Sequence, residues 1–390
     1  MANRPAHILF LNSRSELGGA DMGLHAIVRY LNPSRFRTTV LLPAAGPLVG
    51  ALQLAGAEIV YHDICRLERL TSPGELWTFG RRFVESMSYL RRLIRERSID
   101  LIYTNSSAIP VGALAARLAG IPNLWHLREI WTSPRWLTWP LYRYAYLMAD
   151  RIIAISRAVA TGNFGREGGK IIVVRDGVDL ARFQGLEERA VAVRTRLGWS
   201  RPWPVVSTVA RLVPQKGITC LIEAVRRVRD MGQDVYCCIA GDIPRPVYQA
   251  YKDQAREMIR TYHLEDRVFL LGWFDDVPAL LASSDLFVLA SIGPEGAGLV
   301  IPEAWLAGLP VIVPDHTGPR ELVQDGETGR WFRSADAQDL ADKIVELLGD
   351  PAGRRAMAQA GRREALAQHD ARTNTARIEQ ILDELLAGKR

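Results

Sequence analysis

Two glutamates eight positions apart, Glu295 and Glu303, bracket the stretch of this 390-residue chain best equipped for chemistry. Between them run Gly296, Ala297, Gly298, Leu299, Val300, Ile301 and Pro302. Carboxylates accept hydrogen bonds from hydroxyl groups, and free amides at the start of a helix attract anions. Pro302 is tolerated there because the first helical turn has no N–H partners to lose. Two carboxylates beside an anion-binding bend suit a ligand that is part polyhydroxyl and part phosphate, which describes a nucleotide sugar.

The flanking sequence supplies the elements that position this bend. Asp285 to Ser291 reads as an apolar strand, a short helix ends at Gly308, and Pro310 to Pro314 reads as a second buried strand. Such a βαβ unit places its bend at the carboxyl edge of a parallel sheet, where ligands bind in open α/β folds. Upstream, Pro204 to Ala210 reads as a strand followed by a loop carrying Arg211 and Lys216, two cations able to hold a diphosphate or merely to face solvent. Near the start, Ala6 to Asn12 reads as a strand and Met22 to Leu31 as an amphipathic helix. Gly18 and Gly19 between them mark either a tight turn or a close approach of backbone to ligand.

The spacing Glu295-x7-Glu303, followed by Ala304, Gly308 and Pro310-Val-Ile, resembles the retaining glycosyltransferases of family 4. The resemblance implies that Glu295 contacts the transferred sugar and Glu303 holds the ribose hydroxyls. It implies that Arg211 and Lys216, in the run Ala210-Arg-Leu…Lys216-Gly217, clamp the diphosphate with the amides near Gly298 and Leu299. Gly18 and Gly19 would face the donor phosphates, with Asp21 at the family's acid position. Gly241 and Trp273, in the strands and loops at Tyr236 to Gly241 and Val268 to Pro278, would line the nucleotide. His126, at the end of the strand Asn123 to Glu129, matches a histidine that contacts the donor sugar near the reaction centre. Asn105, in the polar loop Thr104 to Ser107, and Glu129 would belong to the acceptor side. His316 to Gly326 resembles the Gly-x-x-Glu segment that closes the site. The sequence departs from the family pattern at Ala297, where an aromatic is usual, at Asp176, where asparagine is usual, and at Ile243, where a second glycine is usual.

Composition sets the outer bounds. Hydrophobic residues make up 48% and charged residues 24% of the chain, a globular profile. No apolar run reaches the roughly 18 residues that would span a bilayer. Cys65, Cys220, Cys237 and Cys238 have no metal or redox spacing and read as reduced thiols of a cytoplasmic protein. The net charge of +6 is split: residues 1–176 carry 22 basic against 13 acidic residues and residues 177–366 carry 23 against 26. A basic front half is either an ordinary solvated surface or one that attracts anionic lipid, nucleic acid or an acidic substrate. The helix from Leu76 to Arg97 has a core stripe of Phe83, Met87, Leu90 and Ile94 and a basic outer side. The segment from Ile130 to Met148 interleaves Trp131, Trp136, Trp139, Tyr142, Tyr144 and Tyr146 with Arg135 and Arg143, which suits a headgroup interface or a buried helix equally.

Strand and helix alternation in both halves predicts an α/β protein of the GT-B kind, two doubly wound Rossmann-like domains facing across a cleft. Residues 1–176 would bind acceptor, 177–366 the nucleotide sugar, and 367–390 would form a helix returning to the first domain. The stretch from Asp179 to Ser200 reads as polar and helical without an apolar stripe, which suits an interdomain linker. The implied reaction is transfer of a sugar from a nucleotide diphosphate sugar to an acceptor hydroxyl with retention, in polysaccharide, lipopolysaccharide or glycolipid synthesis. No Asp-x-Asp motif is present, so neither metal nor cofactor is expected, and no nucleic-acid partner. A nucleotide-sugar epimerase of the same fold, or a catalytically silent relative, are the alternatives. The silent relative would usually have lost Arg211, Lys216 or Glu303, and all three are present.

Overall fold

A computed structural model of the protein describes residues 4–67, 73–131, 135–199 and 201–388, with the side chains at 73 and 135–137 outside the described set, Arg135 and Trp136 among them. The chain divides into two compact units, residues 1–178 with 371–390, and residues 179–370.

In the first unit, described residues form a seven-stranded sheet in the order β3-β2-β1-β4-β5-β6-β7. The strands are β1 (Ala6–Leu11), β2 (Phe36–Leu42), β3 (Glu58–Tyr61), β4 (Leu101–Thr104), β5 (Asn123–Leu127), β6 (Arg151–Ala154) and β7 (Ile171–Val173). All pairings are parallel. The central strands are apolar on both faces because helices cover both faces: Ile8, Leu9, Phe10 and Leu11 have no exposed surface. One face packs on the helix Gly19–Tyr30 through Leu24, Ile27 and Val28, joined by Ile378, Ile381, Leu382 and Leu385 of the terminal helix Ala371–Ala387. The other packs on the helices Pro73–Arg97 and Val111–Ala119.

The helix Pro73–Arg97 is longer than the sheet requires. Twenty-five residues span about 37 Å at 1.5 Å each, whereas a seven-residue strand spans about 23 Å. Its buried residues, Ser86, Met87, Leu90, Leu93 and Ile94, lie in its second half, and none of residues 74–85 is buried. Leu76, Trp77 and Val84 are exposed there.

The helix Arg135–Met148 turns most of its described aromatic side chains inward. Tyr142 is buried against Phe164 and the Tyr144 hydroxyl donates to the Pro110 carbonyl at 2.9 Å; ahead of the helix, Trp131 donates to Ser107 Oγ at 2.6 Å. Trp139 stays 61% exposed, with the Arg143 guanidinium 5.3 Å from its ring centre.

The second unit repeats the plan with a six-stranded parallel sheet in the order β10-β9-β8-β11-β12-β13. The strands are β8 (Val205–Val209), β9 (Tyr236–Ala240), β10 (Val268–Gly272), β11 (Leu286–Val288), β12 (Val311–Pro314) and β13 (Arg330–Phe332). Ile218, Leu221, Ile222, Val225 and Val228 line one stripe of the helix Ile218–Asp230 and are buried in its core, as their helical spacing requires. Burial pushes the Cys220 thiol up to about 11 and that of Cys237 to about 12, so both remain protonated.

One expectation is corrected. The stretch after Asp179 is helical as read, a 3-10 turn, Leu180–Phe183, and a helix, Leu186–Leu197, but it belongs to the second unit and is not a linker. Ala190 and Val193 of that helix are buried, and Arg189 Nε bonds Asp276 at 2.9 Å. Two buried positions on an otherwise polar helix are too narrow a stripe to register as periodicity.

Candidate active site

In both sheets the strand order reverses direction beside the first strand, between β1 and β4 and between β8 and β11. Loops leaving the two strands of such a pair diverge and open a crevice at the carboxyl edge. In the second unit those loops carry Lys216 after β8 and Glu295 after β11.

The two loops are stitched together by backbone. The amides of Ile292 and Gly293 donate to the Gln215 carbonyl at 2.9 and 3.1 Å. Gly217 has a φ of +62°, and a Cβ there would lie 2.0 Å from the Ala290 carbonyl oxygen, so glycine is demanded twice over. The Lys216 ammonium pairs with Glu295 Oε1, which also accepts the Ser291 hydroxyl at 2.5 Å. A third loop fixes the Glu295 backbone: its N–H donates to Thr317 Oγ1 at 3.1 Å, and its carbonyl accepts the Gly318 N–H at 3.1 Å. Arg211 is exposed at the start of the first loop.

Gly298 has a φ of +83° and leads through Leu299 into the helix Val300–Leu306, where Glu303 lies in the first turn. Arg182 Nη1 bonds Glu303 Oε1 at 2.9 Å. Burial raises the Glu303 carboxyl above its ordinary range, and the Arg182 cation opposes that rise. Gly241 is held at a φ of +124° with the Ala210 carbonyl 2.0 Å from where a Cβ would stand. Trp273 is 56% exposed, its indole N–H bonded to Asp275 at 2.6 Å.

The first unit gathers its polar groups at the β1/β4 crevice. Asn12 Nδ2 donates to Asp21 Oδ1 at 2.9 Å, Asn105 Nδ2 to Asn12 Oδ1 at 2.9 Å, and Arg128 Nε to Asn105 Oδ1 at 2.8 Å. Arg128 Nη1 pairs with Asp176, and Gly23 makes room for it, since a Cβ there would come 2.4 Å from that nitrogen. The Tyr103 hydroxyl meets His126 Nδ1 at 2.6 Å. His126 is 1% exposed, and its Nε2 has no hydrogen-bond partner among the described residues. Burial and then the Arg128 charge hold His126 well below the ordinary histidine range, while burial raises the Asp21 carboxyl despite its bonds to Asn12 and Gly18.

Several sequence expectations take a different shape here. Asn105, expected on the acceptor side, is 1% exposed with its amide engaged by Asn12 and Arg128, so it supports the network. Glu129 is exposed and accepts the Ser107 hydroxyl at 2.9 Å. Gly18 and Gly19 need no special backbone; nothing lies within 4 Å of a Cβ at Gly19 and only Asp21 Oδ2, at 3.0 Å, near one at Gly18. Sequence reasoning missed Arg182, Ser291, Thr317 and the partnership of Tyr103, Arg128 and Asp176. One signal was available: His126 near the end of β5 and Arg128 just past it are two apart in extended chain, where alternate residues share a face. Among the described residues no three His, Cys, Asp or Glu side chains cluster as a metal site.

Comparison with known proteins agrees with this architecture. Residues 17–182 match the family described as Glycosyltransferase Family 4, and residues 194–364 match Glycosyl transferases group 1. The chain is 31% identical over 322 residues, 78% of its length and 80% of the relative's, to the GDP-mannose-dependent alpha-(1-6)-phosphatidylinositol monomannoside mannosyltransferase of Mycolicibacterium smegmatis. It is 28% identical over 331 residues, 81% of each chain, to the UDP-Gal:alpha-D-GlcNAc-diphosphoundecaprenol alpha-1,3-galactosyltransferase of Escherichia coli. The crystal structure of Anabaena Alr3699/HepE with UDP-glucose superposes with a TM-score of 0.83 and 27% identity, covering 97% of this chain and 99% of that one. Two parallel sheets each with a loop crevice beside the first strand, matched along most of their length by sugar-transferring enzymes, place this chain in glycosyltransferase family 4 as a GT-B glycosyltransferase.

Proposed function

We propose that the protein transfers a hexosyl group, with retention and without a metal, from a nucleotide diphosphate sugar to a hydroxyl of a lipid-linked saccharide at an anionic membrane surface. The observation that carries the donor half is the Lys216–Glu295–Ser291 cluster at the β8/β11 crevice. A departing nucleoside diphosphate gains negative charge, and fixed cations that meet it lower the barrier most. Arg211 and Lys216 supply those cations. A diphosphate taking the Lys216 ammonium leaves Glu295 to the sugar hydroxyls, Glu303 serves the ribose, Trp273 offers the base an aromatic face, and His126 serves the transferred sugar.

The acceptor half rests on chemistry and charge. The Escherichia coli relative acts on a diphosphoundecaprenol-linked sugar and the Mycolicibacterium smegmatis relative on a phosphatidylinositol mannoside. No helix among the described residues is long and apolar enough to cross a membrane, so such an acceptor calls for surface docking. The basic front half and the exposed Leu76, Trp77 and Val84 suit that task on the cytoplasmic leaflet.

The test is turnover of a panel of UDP- and GDP-hexoses with polyprenyl-diphosphate-linked and phosphatidylinositol-linked saccharides in chelator, with the product anomer assigned by NMR. Retained configuration in one donor and lipid-acceptor pair is the expected result. An inverted product, or conversion of the sugar nucleotide with no acceptor present, overturns the reading.

A further inference from the structure

Two donors converge on one lone pair of His126. A guanidinium can only donate, and Arg128 Nη2 points at His126 Nδ1 from 3.4 Å. Nδ1 is therefore the acceptor, and the Tyr103 hydroxyl, 2.6 Å from the same nitrogen, donates as well. A proton on Nδ1 would face an N–H of a cation in a site that excludes water. The neutral ring must then carry its proton on Nε2, which is buried and has no partner among the described residues. An orphaned N–H of that kind costs free energy unless something else accepts from it.

The guanidinium is itself over-determined. Asn105 Oδ1 takes its Nε–H and Asp176 its Nη1, and Asn105 is braced in turn by Asn12 and Asp21. Asp176, where the family usually has asparagine, gives Arg128 a full counter-charge instead of an amide. The charged and titratable groups facing the ring are thus Tyr103 from β4 and Arg128 at the end of β5, with Asp176 after β7 compensating the arginine.

We propose that Tyr103, Arg128 and Asp176 form a positioning unit that fixes His126 as a neutral ring protonated on Nε2, so that it serves the sugar as a hydrogen-bond donor and moves no proton during transfer. The catalytic half of this statement rests on the assignment of His126 to the sugar; the tautomer does not. A donor of fixed direction rejects a ligand group that cannot accept, which is where a buried hydrogen bond contributes selectivity.

Nitrogen-15 NMR of the histidine-labelled protein decides the tautomer, with His126→Gln identifying the signal among seven histidines. The expected result is an Nε2–H pattern unchanged between about pH 5 and 8. An Nδ1–H ring, or titration within that window, overturns the proposal. Tyr103→Phe and Asp176→Asn should each admit the second tautomer and lower kcat about tenfold while leaving free-nucleotide affinity unaltered; wild-type spectra and kcat in both variants would equally overturn it. If the ring is locked on Nε2 yet His126→Gln turns over normally, the assignment of His126 to the sugar fails and the catalytic half falls with it.

Discussion

Lys216 bonds Glu295, so a diphosphate reaching the same ammonium competes with a carboxylate already there. Removing one charge-assisted contact to a phosphate should cost about 1.5–3 kcal/mol. Lys216→Ala is therefore expected to weaken nucleotide binding roughly tenfold or more, measured by calorimetry, and Glu295→Gln, which removes the competing carboxylate, to spare or strengthen free-nucleotide binding while damaging turnover. Equal losses of nucleotide affinity in both variants would remove the division of labour between them. Glu303 makes a different test possible, because burial raises its pKa and Arg182 holds that rise in check. In Arg182→Ala the check is gone, the pKa climbs further, and the carboxyl spends more of the accessible pH range protonated. Nucleotide affinity should then begin to fall at a higher pH in the variant than in the wild type as the solution is acidified; parallel profiles would detach Arg182 from the ribose site.

At the scale of the element, the proposed donor site depends on loops that could not close with ordinary side chains. Gly217 holds a left-handed backbone against the Ala290 carbonyl, and Gly318 lies where a Cβ would stand 2.3 Å from the Gly296 carbonyl oxygen. Gly217→Ala must push the two loops apart, and should destabilise by more than about 1 kcal/mol, seen as about 2–4 °C in Tm per kcal/mol, with turnover lost alongside. Gly50→Ala is the control: it sits in the helix Pro47–Leu54 with nothing within 4 Å of a Cβ, and should stabilise by about 0.5–1 kcal/mol. If Gly217→Ala behaves like the control, the loops do not need their close approach.

For the whole molecule, charge and exposed apolar surface set the expectation of membrane docking. The helix Pro73–Arg97 leads into β4 from the carboxyl edge of the sheet, so its unburied first half projects at the edge that carries Asn105 and Arg128. Leu76, Trp77 and Val84 there can enter a headgroup layer while Arg81 and Arg82 meet phosphates. Flotation with anionic vesicles should show association that weakens from about 0.1 M to 1 M salt as the Debye length falls from about 10 to 3 Å. Trp77→Glu with Val84→Glu should abolish it, and both positions are exposed enough to leave folding alone. Wild-type protein that stays with the soluble fraction at low salt, or a double variant that still floats, would return this helix to plain solvent exposure.

What the sequence determined by itself was local. Apolar runs alternating with helical stripes dictated two parallel α/β sheets, because period and burial are written within ten or so neighbouring residues. Glycines at bends marked the loops, and it was resemblance to the family pattern around Arg211, Lys216, Glu295 and Glu303 that implied a donor site there. Tertiary structure alone decided which charges meet. Arg182 reaches Glu303 across 121 positions and Arg128 reaches Asp176 across 48, and no periodicity encodes a pairing between separate loops. It also decided that Asn105 braces a network, that the polar helix Leu186–Leu197 belongs to the second unit, and that His126 shows one nitrogen to two donors. The Asn105 brace is set by strand order, which brings β1 beside β4 as it brings β8 beside β11. That order depends on long-range packing and not on the run of residues along any one strand.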